Sequence, residues 1–225
     1  MKVLLGLLVS LFLFCLSSCI EIIDDLSFNA DGSGTFKYNV NLSSSKVKIN
    51  SVLALDSLDG KKVPSISEIE NKINTVINSF QTKEGISDVT FESNYSDYIF
   101  KITCDFNSLN ALQNAIRSVV KEESKNRTMP ELNHNWLSYS EENFTRSVPK
   151  LTTKKISDIK SEDRELLKQG SYTSITRFYR PIDNFSNENG KISKSQKAIM
   201  VRSNIHSLIQ NPNLLDNSIN LVKTN

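Results

Sequence analysis

Histidine and glycine are scarce in this chain, and their scarcity removes several classes of chemistry. Only two histidines, His134 and His206, occur among 225 residues. Neither has a second histidine or a cysteine at ligand spacing, so a zinc site of the usual His/Cys type would lack most of its ligands. Seven glycines leave little room for a glycine-rich phosphate loop, and no Gly-x-Ser-x-Gly hydrolase elbow occurs. Asp24-Asp25 and Asp56/Asp59 do not form the alternating Asp/Asn loop with a terminal Glu that calcium requires. An excess of one charge is also lacking. Lys and Arg number 27 against 25 Asp and Glu, a formal charge of +2, which gives no electrostatic reason to expect nucleic acid. The acidic groups Glu141-Glu142 and Glu162/Asp163/Glu165 lie on polar stretches, where neighbouring carboxylates are usually solvated. No catalytic residue, metal ligand or cofactor site is therefore assigned.

Long apolar runs are lacking too, with one exception at the start. After Met1-Lys2, residues Val3 to Leu16 are almost wholly apolar, broken only by Gly6 and Ser10. As a helix this run would reach roughly 21 Å, short of the ~30 Å hydrocarbon core. A charged start and a short apolar run read as a signal peptide over residues 1–18. The motif that follows, Leu16-Ser17-Ser18-Cys19, resembles the lipobox of bacterial lipoproteins: an aliphatic residue, two small ones, then a cysteine. The resemblance implies cleavage between Ser18 and Cys19 and attachment of diacylglycerol to the Cys19 thiol. Cys15 competes poorly, because Leu13 and bulky Phe14 precede it. Removal of residues 1–18 leaves Cys104 as the other cysteine of the mature chain, so no intramolecular disulfide can form. Cys104 alternates with Ile102 and Phe106 in an apolar strand and reads as a buried, inert thiol.

Ile20-Glu21-Ile22-Ile23 begins an extended apolar segment immediately after Cys19, without a Ser/Gly/Pro-rich tether. The domain is therefore expected close to the bilayer. In bacteria with two membranes, an aspartate after the lipidated cysteine favours inner-membrane retention. Ile20 does not match that pattern, so the expected location is the outer membrane, facing the periplasm.

Two successive strand–strand–helix units are predicted over residues 19–122. Residues 20–29 and 35–42 flank the turn cluster Asp31-Gly32-Ser33-Gly34 and read as a β-hairpin. Ser65 and Glu68 form a capping-box pattern, and Ile66, Ile69, Ile73, Val76, Ile77 and Phe80 make one helical stripe. Residues 86–92 and 98–106 form a second hairpin, and a second helix capped by Asn107 or Ser108 carries Leu109, Leu112, Ile116, Val119 and Val120. Residues 43–64 between the units read as a polar connection.

Residues 123–135 form a polar linker or long loop containing Pro130, and 136–225 a second α+β region, in the same domain or a separate one. Strands are expected at 136–140, 144–148, 171–179 and 198–202, short helices at 161–169 and 204–210, and a polar loop at 183–190. The predicted class is α+β: a mainly antiparallel sheet built from hairpins, with helices packed on one face.

One candidate for ligand binding remains. Arg177, Tyr179 and Arg180, in the run Arg177-Phe178-Tyr179-Arg180, place two guanidinium groups beside aromatics and could grip an anionic group. On a strand, Arg177 and Tyr179 face one side while Phe178 and Arg180 face the other.

The entry of Cys19 into a strand, the Asp31–Gly34 hairpin, and the stretch Pro181–Val201 with its Asn/Gly loop before a strand resemble the LppM-like lipoprotein domain. The resemblance implies an envelope-anchored, β-rich module able to hold a lipid-like ligand, and it brings no catalytic residues. The leading expectation is a non-enzymatic lipoprotein, joined to the membrane through Cys19, that binds or scaffolds another envelope component such as a protein partner. The alternatives are a lipid- or small-ligand-binding domain with a cavity between sheet and helices, and a hydrolase with a site assembled from scattered Ser, Asp and Glu. An exposed apolar patch would favour the scaffold, a closed apolar cavity the ligand-binding domain, and a pocket converging on a carboxylate and a hydroxyl the hydrolase.

Overall fold

A computed structural model describes residues 20–124, 129–149 and 167–223. The signal segment, Cys19, and most of the helix expected at 161–169 with Glu162, Asp163 and Glu165 lie outside the described residues. The fold is α+β, with strands that are mostly antiparallel.

Period-two alternation builds the first hairpin, β1 (Glu21–Phe28) and β2 (Gly34–Asn41), in register from Glu21↔Asn41 to Phe28↔Gly34. Its turn needs two glycines for different reasons. Gly32 has φ +83°, and a Cβ on Gly34 would lie 2.0 Å from the Ser27 carbonyl oxygen. A short helix, α1 (Lys46–Leu53), and a small hairpin, β3 (Ser57–Leu58) with β4 (Lys61–Lys62), follow. This segment was expected to be a polar connection. No residue of α1 is buried, so the core-facing stripe that reveals a helix in sequence is absent there.

α2 (Ile66–Gln81) begins with both reciprocal bonds of the capping box: the Glu68 N–H donates to Ser65 Oγ, and the Ser65 N–H donates to Glu68. β5 (Ile86–Asn94) and β6 (Ile99–Phe106) then form the second hairpin, and α3 (Leu109–Glu123) starts with Ser108 Oγ accepting from the Ala111 N–H. α2 and α3 pack side by side against this end of the sheet.

Beyond residue 129 come β7 (Leu137–Tyr139), β8 (Asn143–Arg146), β9 (Ser171–Arg177), β10 (Ile182–Phe185), β11 (Lys191–Ile192), β12 (Ala198–Asn204), α4 (Ile205–Gln210) and β13 (Asn217–Leu221). β10 occupies part of the stretch expected to be a loop. Its Ile182 and Phe185 pair with Leu221 and Ile219 of β13, across an irregularity at residues 182–184 that breaks the alternation in sequence. The strands form a seven-stranded sheet, β11-β12-β9-β1-β2-β6-β5, and a four-stranded sheet, β10-β13-β8-β7. β9 lies parallel to β1, from Glu21↔Ser171 to Ser27↔Arg177. Strands from both sides of residues 123–135 thus share one sheet.

The even-numbered residues of β1 point inward. Phe28 stacks on Tyr139 (centroids 4.2 Å apart) and on Phe178 (5.8 Å), and Phe144 of the small sheet lies 5.6 Å away. Leu26, Cys104, Phe106, Leu112 and Ile219 complete the core between the layers. Burial, then the neighbouring Asp105 charge, pushes the Cys104 thiol up to about 12, which leaves almost no thiolate at neutral pH.

Two exposed carboxylates tie the helices to pH. Glu68 is held at about 2 by Lys62 and by the Ser65 cap, and Glu122 at about 2 by Lys83, Ser79 and Ser118. Both folded-state values lie below the ordinary 4.5. Their contribution is complete above about pH 4.5 and is lost as pH falls through the range down to about 2. Thermal melts from pH 6 to pH 2 are expected to show this loss, with a flatter profile in Glu68→Gln/Glu122→Gln. An unchanged slope in that variant would refute the assignment.

Candidate functional site

Asp24 occupies an inward position of β1, in the same alternation as Leu26 and Phe28, and is 4% exposed. A carboxylate there requires partners, and three residues on two other strands supply them. Ser174 on β9 lies opposite Asp24 in the parallel register and donates its hydroxyl to Oδ1 at 2.9 Å. Tyr172, two residues earlier on the same face, donates its hydroxyl to Oδ2. Arg146, the last residue of β8, spans the gap between the sheets: its Nη1 donates to Oδ2 and its Nη2 to Oδ1, each at 3.0 Å. The pair is bidentate, and Arg146 is 8% exposed.

Four donors occupy the roughly four lone-pair positions of the carboxylate. Burial works against the charge on Arg146, but Asp24 and Tyr172 outweigh it and raise its pKa. Burial, then the Asp24 charge, pushes the Tyr172 hydroxyl well above its usual range, and the same two causes raise Tyr38. Tyr172 therefore stays protonated and serves as a donor. The cluster joins the two sheets with one positive and one negative charge.

Above this cluster lies a cavity of about 500 Å³. Leu26, Phe36 and Tyr38 of the large sheet, Leu112 and Ile116 of α3, Leu132, Trp136, Val148 and Pro149 around the small sheet, and Ile205, Leu208, Ile209, Pro212 and Leu215 at the C-terminal end line it. Two polar residues, four apart on α3, hold one wall. Gln113 exchanges hydrogen bonds with the Leu137 backbone at 2.9 and 3.1 Å. Arg117 donates to the carbonyls of Leu132 and His134 and lies 4.9 Å from the centre of the Trp136 ring.

The cavity has the size of small-molecule sites, ~300–1,000 Å³, and their apolar lining with a few convergent polar groups. Asp24 and Tyr172 also line it, bringing a carboxylate and a hydroxyl together, the feature named above for a hydrolase. Catalysis would need a base free to accept a proton. Asp24 has its lone pairs filled, and Ser174 donates its own proton to Asp24. The histidines lie elsewhere: His134 Nε2 contacts the Ser147 carbonyl, and His206 contacts Gln210. Among the described residues no three His, Cys, Asp or Glu side chains gather as a metal cluster would require.

Arg177, Tyr179 and Arg180, the candidates from sequence, do not line this cavity. β9 ends at Arg177, whose guanidinium is exposed and pairs with Asp25 at 2.8 Å. Phe178 enters the aromatic core. Arg180 is buried, with its guanidinium 5.3 Å from the centre of the Tyr179 ring. Asp24, Arg146, Tyr172 and Ser174 were missed by the sequence reading. The one available signal was Asp24 itself, a charge in register with an apolar face. Its partner Arg146 lies 122 residues away, beyond any local pattern.

No family model matches the sequence, and no curated protein matches it. Among solved structures, the folded domain of LppM from Mycobacterium tuberculosis, determined by NMR, aligns over 92% of this chain and 91% of that one, with 7% identity and a TM-score of 0.42. Similarity at that level transfers neither a site nor an activity.

Proposed function

We propose that this protein is a lipid-anchored, non-enzymatic binding protein of the bacterial cell envelope, whose cavity takes an apolar or amphiphilic ligand such as a single acyl chain. The carrying observation is the 500 Å³ apolar cavity between the layers, closed at its base by a saturated, charge-balanced cluster. That observation moves the weight from scaffolding a protein partner, the leading expectation from sequence, to holding a small ligand. The anchor rests on the Leu16–Cys19 motif, and outer-membrane placement facing the periplasm on Ile20 in place of an aspartate.

The test is extraction of the full chain from membranes in mild detergent, followed by mass spectrometry of what it releases on denaturation. Binding of a fluorescent fatty acid to the delipidated protein is measured in parallel. Leu208→Trp fills the cavity from peripheral α4 and is expected to weaken that binding at least tenfold, about 1.4 kcal/mol, while the protein stays folded. If nothing is released and the probe binds neither form, the ligand reading fails.

A further inference from the structure

The large apolar side chains most exposed to solvent are not scattered over the surface. Val47 (79% exposed), Leu55 (46%), Leu58 (45%) and Ile66 (44%) fall within one 20-residue stretch, leaving only Ile192 and Val222 elsewhere among the described residues. Over residues 46–66 the chain also carries four lysines against two aspartates. Lys46 pairs with Asp97 and Lys62 with Glu68, while Lys48 and Lys61 are exposed and form no ion pair among the described residues.

The position of this stretch in the fold gives the pattern its meaning. It follows β2, whose last residue Asn41 pairs with Glu21, the first residue of β1. Cys19 lies two residues before Glu21, within about 7 Å of chain. The stretch is fastened to the same end of the sheet: Leu42 N–H donates to the Tyr98 carbonyl at 3.0 Å, Lys46 reaches Asp97 at 2.9 Å, and Tyr98 bonds Asn50. Ile192 lies toward the opposite end. It pairs with Ile199, which pairs with Thr176 beside Leu26, about 17 Å along β1 from Glu21.

We propose that residues 46–66 form a membrane-contacting face, which lays Val47, Leu55 and Leu58 into the headgroup region of the bilayer that holds the acylated Cys19, with Lys48 and Lys61 toward anionic lipid. The proposal rests on the anchored reading of Cys19. Apolar side chains beside exposed lysines are the composition of surfaces that sit in a bilayer interface. An acyl anchor two residues before β1 brings that face to the bilayer without a tether. The face orients the domain, with the β1–β2 turn directed away from the membrane.

The lipidated full chain is reconstituted in vesicles of phosphatidylethanolamine and phosphatidylglycerol, with an environment-sensitive fluorophore on Val47→Cys, Leu58→Cys or, as a control, Ile192→Cys. Lipidated Cys19 and buried Cys104 leave the introduced thiol as the reactive one. Labels at 47 and 58 are expected to be quenched several-fold more by a lipid-borne quencher than the label at 192. Equal quenching at all three positions overturns the proposal. Shielding from water at 47 and 58 without lipid quenching also overturns it, and would mark a contact with a second copy or a protein partner. Mass analysis of the N-terminal peptide separates the two readings. If Cys19 carries no acyl group, the anchor falls, and the same labels are placed in a Cys15→Ala/Cys19→Ala background and read after adding that unacylated chain to the same vesicles, where absence of quenching overturns the docking face independently.

Discussion

Arg146→Met is expected to destabilise the protein by about 3–5 kcal/mol, because it leaves a carboxylate buried between two sheets without its counter-charge. Asp24 would keep Tyr172 and Ser174 as donors, but neither carries a positive charge, and the surrounding Leu26, Phe36 and Leu112 side chains offer no replacement. For a chain of this length the loss corresponds to a fall in Tm of about 6–20 °C. Asp24→Asn combined with Arg146→Met removes both charges and keeps an amide whose oxygen accepts from one of the two hydroxyls of Tyr172 and Ser174 while its NH2 donates to the oxygen of the other. It is expected to recover most of the loss, since the larger cost comes from separating a buried pair rather than from lacking one. Urea denaturation of wild type, both single variants and the double variant forms a complete cycle. A single-variant cost below about 1 kcal/mol, the range of exposed ion pairs, would show that the cluster is open to water. The result bears on function as well, because the same pair forms the base of the cavity.

Cys19→Ala is expected to abolish acyl incorporation, an all-or-none effect, while Cys15→Ala leaves it unchanged. Each buried methylene contributes roughly 0.8 kcal/mol to membrane attachment, so the acyl chains of a lipoprotein hold it durably. Fractionation alone is a poor readout. A precursor that keeps residues Val3 to Leu16 retains an apolar run that itself partitions into membranes. Metabolic labelling with an alkyne fatty acid, with mass determination of the N-terminal peptide, reads the modification directly. Continued labelling of Cys19→Ala would refute the lipobox reading.

Where local chemistry determined local structure, the sequence was readable. Ser65 with Glu68, and Ser108 before an apolar stripe, mark helix starts that the structure satisfies with side-chain bonds. The second hairpin, expected over 86–92 and 98–106, forms as β5 and β6. Reading failed where the signal was weak or the spacing broken. The short helix α1 buries nothing, and the β10–β13 irregularity displaces Phe185 from the alternation begun by Ile182.

The sequence by itself determined which segments become hairpins and helices and which side chains each turns inward, because these depend on interactions a few residues apart. It also carries Leu16-Ser17-Ser18-Cys19, the linear segment on which the proposed acylation rests. Tertiary structure decided that β9 lies parallel to β1, which sets Ser174 opposite Asp24, that Arg146 crosses from the second sheet to the same carboxylate, and that the apolar walls stop short of filling the space above it. Those contacts join residues 122 to 150 positions apart. They arise only when whole layers pack, since a buried charge selects its partner by geometry in the folded core and not by any spacing along the chain.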